Sequence, residues 1–200
     1  MNDLLSGFGG ALLGAFAVVI SGLLVENYKQ HRDRCAAASA IAGEIFSIVE
    51  MITRRNHVAF FTWCASQLDD GHDVKITNTV GPGLASSLDP VIEAHLNRLG
   101  LLNGNERPER IVKFYTHLRG IRIDIVNMAN GVFDTSPQGN ANTIKSNIIK
   151  EDLAMWEETE KLAHELLKEL KEIANDPWWL KTRWEHGVMR AKRLIYFNGK

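Results

Sequence analysis

From Leu4 to Val25 the chain reads LLSGFGGALLGAFAVVISGLLV, twenty-two residues without a charge, fenced by Asp3 and Glu26. At about 1.5 Å per residue such a helix is roughly 33 Å long, enough to cross a hydrocarbon core of about 30 Å. A backbone in lipid has no water to satisfy its N–H and C=O groups, so an open chain crosses only as a helix. The stretch predicts a transmembrane span over 4–25 within an anchor over 1–28. A cleaved secretory signal is the alternative, and it needs a basic leader, a short apolar run and small residues just behind that run. Met1-Asn2-Asp3 carries no Lys or Arg, and Ala38-Ser39-Ala40 lies well beyond the apolar run, behind a charged block.

The flanks set an orientation. Lys29, Arg32 and Arg34 follow the span and no basic side chain precedes it. Positive charge stays on the cytoplasmic side, so the expectation is an N-terminus outside and a C-terminal domain in the cytoplasm of a bacterial inner membrane. Tyr28 falls at headgroup level.

Within the span, Ser6, Gly10, Gly14, Ala17 and Ser21 share one helical stripe, while Leu5, Phe8, Leu12, Phe16, Val19 and Leu23 occupy another. Gly10 and Gly14 form a GxxxG, and small residues let helix backbones approach closely in lipid. The stripe predicts a helix–helix interface and a homo-oligomer.

The formal net charge of −1 conceals an asymmetry. Residues 177–200 hold six basic residues against Glu185, a charge of +5, which leaves −6 on residues 1–176. Phosphate-neutralising charge confined to one end argues against a nucleic-acid partner. Cys35 and Cys64 are the two cysteines; they make no CxxC pair and no disulfide framework, and are expected as buried small hydrophobes.

Beyond the span the pattern is helical: the expected fold is all-α, a transmembrane helix continuing into a cytosolic antiparallel helical bundle over 29–176. No Pro interrupts the chain before Asp69-Asp70-Gly71, and Ile41, Ile45, Ile48 and Ile52 mark one apolar face. A stalk helix over 35–69 is expected, with a break near 29–34. The connector at 71–87 contains Val74-Lys75-Ile76-Thr77, whose alternation would suit one short strand. Asp89 and Pro90 open a short helix that Gly100 closes, with Ile92, Leu96 and Leu99 inward. A helix over 106–130 follows, with the stripe Phe114, Leu118, Ile121, Ile125 and Met128, ended by Gly131. The last long helix begins near Asn142 and ends before Pro177; Ile148, Met155, Leu162, Leu166, Leu170 and Ile173 supply its buried side and Trp156 adds bulk.

Leu99-Gly100-Leu101-Leu102 followed by Ile111-Val112-Lys113-Phe114-Tyr115 resembles a segment of uncharacterised bacterial single-pass inner-membrane proteins with a small cytosolic helical domain. The resemblance implies a bacterial inner-membrane setting and no activity.

The tail over 177–200 combines Trp178, Trp179 and Trp184 with Lys181 and Arg183. Indole rings at the interface and cations against anionic lipid suit a membrane surface. Together with Lys29, Arg32 and Arg34 they form an expected membrane-surface contact set. The alternative is that the three indoles cap the helical core.

Chemistry is sparse. No HExxH, GxSxG or Walker A occurs, and the glycines at 7, 9 and 10 lie within the span. Arg110, Lys113, His117 and Arg119 could hold an anion, but no Gly-rich cradle accompanies them and a solvated face is the expectation. Glu44 and Glu50 are candidate partly buried carboxylates, with Arg54 or Arg55 as expected partners. No catalytic, cofactor-binding or metal-binding residue is expected, and the chain is not read as an enzyme. The expected function is a membrane-anchored, oligomeric interaction or scaffold protein, its partners the lipid bilayer, its own copies and an unknown protein. The alternative is a small effector whose bundled spans conduct ions, of the prophage or defence type. Against it stands the absence of any ionisable residue in the span.

Overall fold

A computed structural model describes residues 2–74, 76, 90–102, 106–134 and 141–177, with side chains from residue 13 onward and, after the second gap, from residue 91. All regular structure among them is helical: α1 (Asn2–Arg54), α2 (His57–Asp69), α3 (Pro90–His95), a 3-10 turn (Leu96–Leu102), α4 (Arg107–Ala129) and α5 (Ala141–Ala174). The described residues divide into two units, one of those up to 35 with 175–177, the other of those within 36–174; α1 contributes to both.

In the first unit the described side chains at 13–30 are all exposed. The turn of α1 that follows meets the chain beyond α5. The His31 Nε2 lies 3.1 Å from the Asp176 carbonyl oxygen, and the Arg34 guanidinium lies 3.9 Å from the Asp176 carboxylate.

The larger unit has two apolar clusters. In the first, Ala37, Ala38, Ile41, Ile45, Ile48 and Ile52 of α1 meet Ile111, Phe114 and Leu118 of α4 and Trp156, Ala163, Leu166 and Leu170 of α5. Ile92, Leu99 and Leu102 close one side of it. Glu44 fastens this corner, accepting hydrogen bonds from the Tyr115 hydroxyl at 2.5 Å and the Val91 amide at 3.2 Å. In the second cluster, Cys64, Ala65 and Leu68 of α2 meet Ile125 and Met128 of α4 and Ile149 of α5, with Ile76 added from the connector. Nearby, Ser146 and Lys150 of α5 donate to the Asp69 carboxylate at 2.6 and 3.0 Å.

The stalk helix expected over 35–69 is broken at Arg55-Asn56, and the break expected near 29–34 does not occur, because α1 runs through it. Asn56 adopts left-handed angles, φ 51° and ψ 38°, a conformation that Asn tolerates better than other residues with a Cβ. Its amide reaches back to the Thr53 carbonyl at 3.0 Å, closing α1. The break separates residues that feed the first cluster from those that feed the second. Asn56→Gly should therefore leave stability within a few tenths of a kcal/mol, whereas Asn56→Ala should lose about 1 kcal/mol. Urea unfolding of the full chain in mild detergent measures both, and equal losses would show that the left-handed turn is unimportant.

Three further expectations change. Val74 and Ile76 belong to no strand; Ile76 is instead buried, 6% exposed, in the cluster shared by α2, α4 and α5. Lys75, Thr77 and Asp89 lie outside the described residues. Gly100 does not end the short helix: the winding tightens at Leu96 and continues as a 3-10 turn to Leu102. Leu99 and Leu102, one 3-10 turn apart, are both buried, while Leu96, expected inward and at the same three-residue spacing, is exposed where the winding begins. Gly131 does end α4, at φ +70°, where a Cβ would come within 2.8 Å of the Asp134 carboxylate.

Candidate functional site

The most unusual surface belongs to α1, the helix long and apolar enough to cross a membrane. Eight large apolar side chains from Leu13 to Val25 are uncovered, from Leu13 at 74% exposed to Ile20 at 50%. Covering each is worth about 1.5–3 kcal/mol, on the order of 12–24 kcal/mol together. That matches or exceeds the whole folding stability of an ordinary domain, about 5–15 kcal/mol.

The small-residue stripe lies on this helix. Gly14, Ala17 and Ser21 are exposed, and a Cβ added at Gly14 would meet nothing within 4 Å. The Ser21 hydroxyl donates to the Val18 carbonyl at 3.0 Å, satisfying it within the helix. Ser6 and Gly10 lie on α1, with side chains outside the described set.

Of the surface-contact residues, Lys29 and Arg32 are exposed. Arg34 differs: it is half-buried, lies near Asp176, and its Nε is buried without a hydrogen-bond partner among the described residues. Trp178, Trp179, Lys181, Arg183 and Trp184 lie outside the described residues. Cys35 is half-buried rather than fully buried, its sulfur 3.5 Å from the His31 ring. Burial raises its thiol pKa against the lowering influence of Arg34, with Asp176 adding to the rise; the thiol form is favoured, which disfavours nucleophilic chemistry. Cys64 is fully buried, as expected.

The basic set on α4 is largely spoken for. Arg110 forms ion pairs with Glu165 at 2.6 Å and Glu169 at 2.5 Å, and Arg107 joins Glu169 at 2.8 Å. Burial of Glu169 opposes its ionisation, but hydrogen bonds from Arg107 and Arg110 outweigh that and lower its pKa. His117 Nδ1 lies 3.0 Å from the buried Thr159 hydroxyl. An open cleft of about 490 Å³ along α4 is lined by Glu106 and Glu109 as well as Arg110, Lys113 and His117. Two carboxylates in the wall and a guanidinium already held by two more make it a poor anion site. Glu50 pairs with Arg54 at 2.7 Å, as expected of it.

Sequence reasoning missed the buried polar side chains of α5. Lys145, Ser146, Asp152 and Thr159 are 0–7% exposed. They interleave with Ile149, Trp156 and Ala163 at helical spacing, so their positions alone carried a signal that their polarity masked. Lys145 pairs with Asp134, and Thr159 donates to the Met155 carbonyl at 2.6 Å. The Asp152 Oδ2 has no such partner among the described residues. Among the described residues, no group of three or more His, Cys, Asp or Glu is placed to hold a metal ion.

What fold and surface define is an all-helical protein with a single apolar N-terminal helix of membrane-crossing length among its described residues. No protein-family model, curated protein or solved structure matches this chain.

Proposed function

We propose that the chain is a membrane-anchored, oligomeric interaction protein of the bacterial inner membrane. The 4–25 span holds it, with its N-terminus outside and a helical bundle in the cytoplasm. The observation that carries this reading is the set of eight uncovered apolar side chains on α1. Water would leave them at a penalty as large as the stability of a domain, whereas a bilayer accepts them without one. The exposed Lys29 and Arg32 support a cytoplasmic flank.

An antiparallel arrangement of α4 and α5 is supported by the order of their contacts. Arg107 meets Glu169, Arg110 meets Glu165, His117 meets Thr159, and Gly120 approaches Met155. With the ion pairs consumed between helices and no cofactor constellation in the sequence, partner binding rather than chemistry is the role this architecture suits.

Self-association through the small stripe has a clean test, because a Cβ added at Gly14 meets nothing within 4 Å among the described residues. Crosslinking in native membranes should give a ladder for the wild type and for Phe16→Leu on the far side of the helix. Gly14→Leu and Gly10→Leu should reduce it at least tenfold, by about 1.4 kcal/mol or more. A ladder unchanged in both Gly variants would rule out the stripe as the interface. A reporter fused behind Lys200 tests the orientation separately, and activity only outside the cytoplasm would overturn the anchor's topology.

A further inference from the structure

Asp152 stands on α5 with 7% of its surface exposed, and its Oδ2 is buried without a hydrogen-bond partner among the described residues. The charges that act on it there are Asp124 of α4 and Glu151 of its own helix, both of its own sign. The nearby cations of α5 are committed elsewhere, Lys145 to Asp134 and Lys150 to Asp69. On α2, Asp69 is held by Lys150 and Ser146, Cys64 is a buried thiol, and burial together with Arg55 lowers the pKa of His57 and favours its neutral form. Ionising a carboxyl in such surroundings means placing a charge where one oxygen is shut off from water and the charges acting on it from the described residues are of its own sign, and the neutral acid is the cheaper state. Burial chiefly, then Asp124 and Glu151, push its pKa up to about 7. Asp124 itself is raised, by burial first and then by Glu151.

We propose that Asp152 is a proton-operated latch on the seam between α4 and α5. Neutral, it lets the seam formed by Ile121, Ile125 and Ile149 close. Ionised, it draws water toward its orphaned oxygen and loosens that seam. The latch works within the helical unit and stands whether or not the N-terminal helix lies in lipid.

The test uses the full chain in mild detergent, stepped from about one pH unit below neutrality to one above. Difference infrared spectra of the wild type should show a carboxylic-acid C=O band disappearing near neutrality, and Asp152→Asn should lack it. Asp124→Asn removes one like charge, so its band should disappear at lower pH. Over the same step, amide protection in peptides covering 121–128 and 149–153, corrected for intrinsic exchange, should fall about tenfold in the wild type and less than about twofold in Asp152→Asn. No carboxylic-acid band lost over this step, as expected of a carboxyl in the ordinary range, or an equal loss of protection in both proteins, would overturn the latch. If Asp152→Asn does not fold, the wild-type band and its displacement in Asp124→Asn decide the matter alone.

Discussion

Raising the pH from about 5 to about 8 should lower the unfolding free energy of the wild-type chain by about 3 kcal/mol more than that of Asp152→Asn. The sign follows from proton binding. Asp152 has a folded pKa of about 7 against an ordinary value of 3.8, so between those values the folded state holds the proton and the unfolded state does not. Its contribution to stability is complete below about pH 4, declines as the pH rises and is lost above about pH 7. The lower pKa values of Asp69 and Glu169 work in the opposite sense, but only at or below the ordinary carboxylate range. His57 is lowered, by burial and then by Arg55, and gains stability as the pH rises toward 6.5. The difference between wild type and Asp152→Asn cancels these contributions. Urea titrations of both proteins in mild detergent, read by circular dichroism at several pH values, measure it; parallel pH curves would remove Asp152 from the account.

Phe114→Ala should lose about 3–5 kcal/mol at fixed pH, the largest single-residue effect expected in this chain. Phe114 is fully buried, shares its cluster with Ile41, Ile45, Leu166 and Leu170, and stacks edge-on against Tyr115 with ring centroids 5.2 Å apart. Removing the ring leaves a cavity walled by α1, α4 and α5, and three helices anchored by other contacts close such a space only in part. The displacement would also disturb Tyr115, whose hydroxyl is tied to Glu44. Phe114→Leu keeps most of the volume and should lose about 1.5 kcal/mol. Val112→Ala, at an exposed position of the same helix, should change stability by no more than about 0.5 kcal/mol. If Phe114→Ala lost less than Phe114→Leu, the cluster would not be the closed core described above.

Helical identity was largely legible because it is local. The isoleucine series of α1, the Phe114-to-Met128 stripe of α4 and the closing Gly131 each follow from spacing within one segment, and the structure has them where the pattern predicts. The turn at Asn56 was not legible. The residues around it are ordinary helix-compatible types, and what favours breaking there is the separate demand of two apolar clusters on residues before and after it. The basic set on α4 looked like a solvated face for the same reason: Arg110 meets Glu165 and Glu169 some 55 and 59 positions away, and no local pattern announces such a pair.

By itself, then, the sequence determined the twenty-two-residue apolar stretch, the helical character of the rest and the split between an acidic body and a basic end. Hydrophobic length, 3.6-residue periodicity and net charge are properties that neighbouring residues carry without reference to anything distant. Tertiary structure alone decided which charges found partners and which did not. Asp152 is one acid among many on a charged helix until α2 and α4 pack against α5, bury its Oδ2 and bring Asp124 to bear on it, with no cation acting on it among the described residues. Desolvation is a property of the surroundings, and surroundings exist only once the chain has folded.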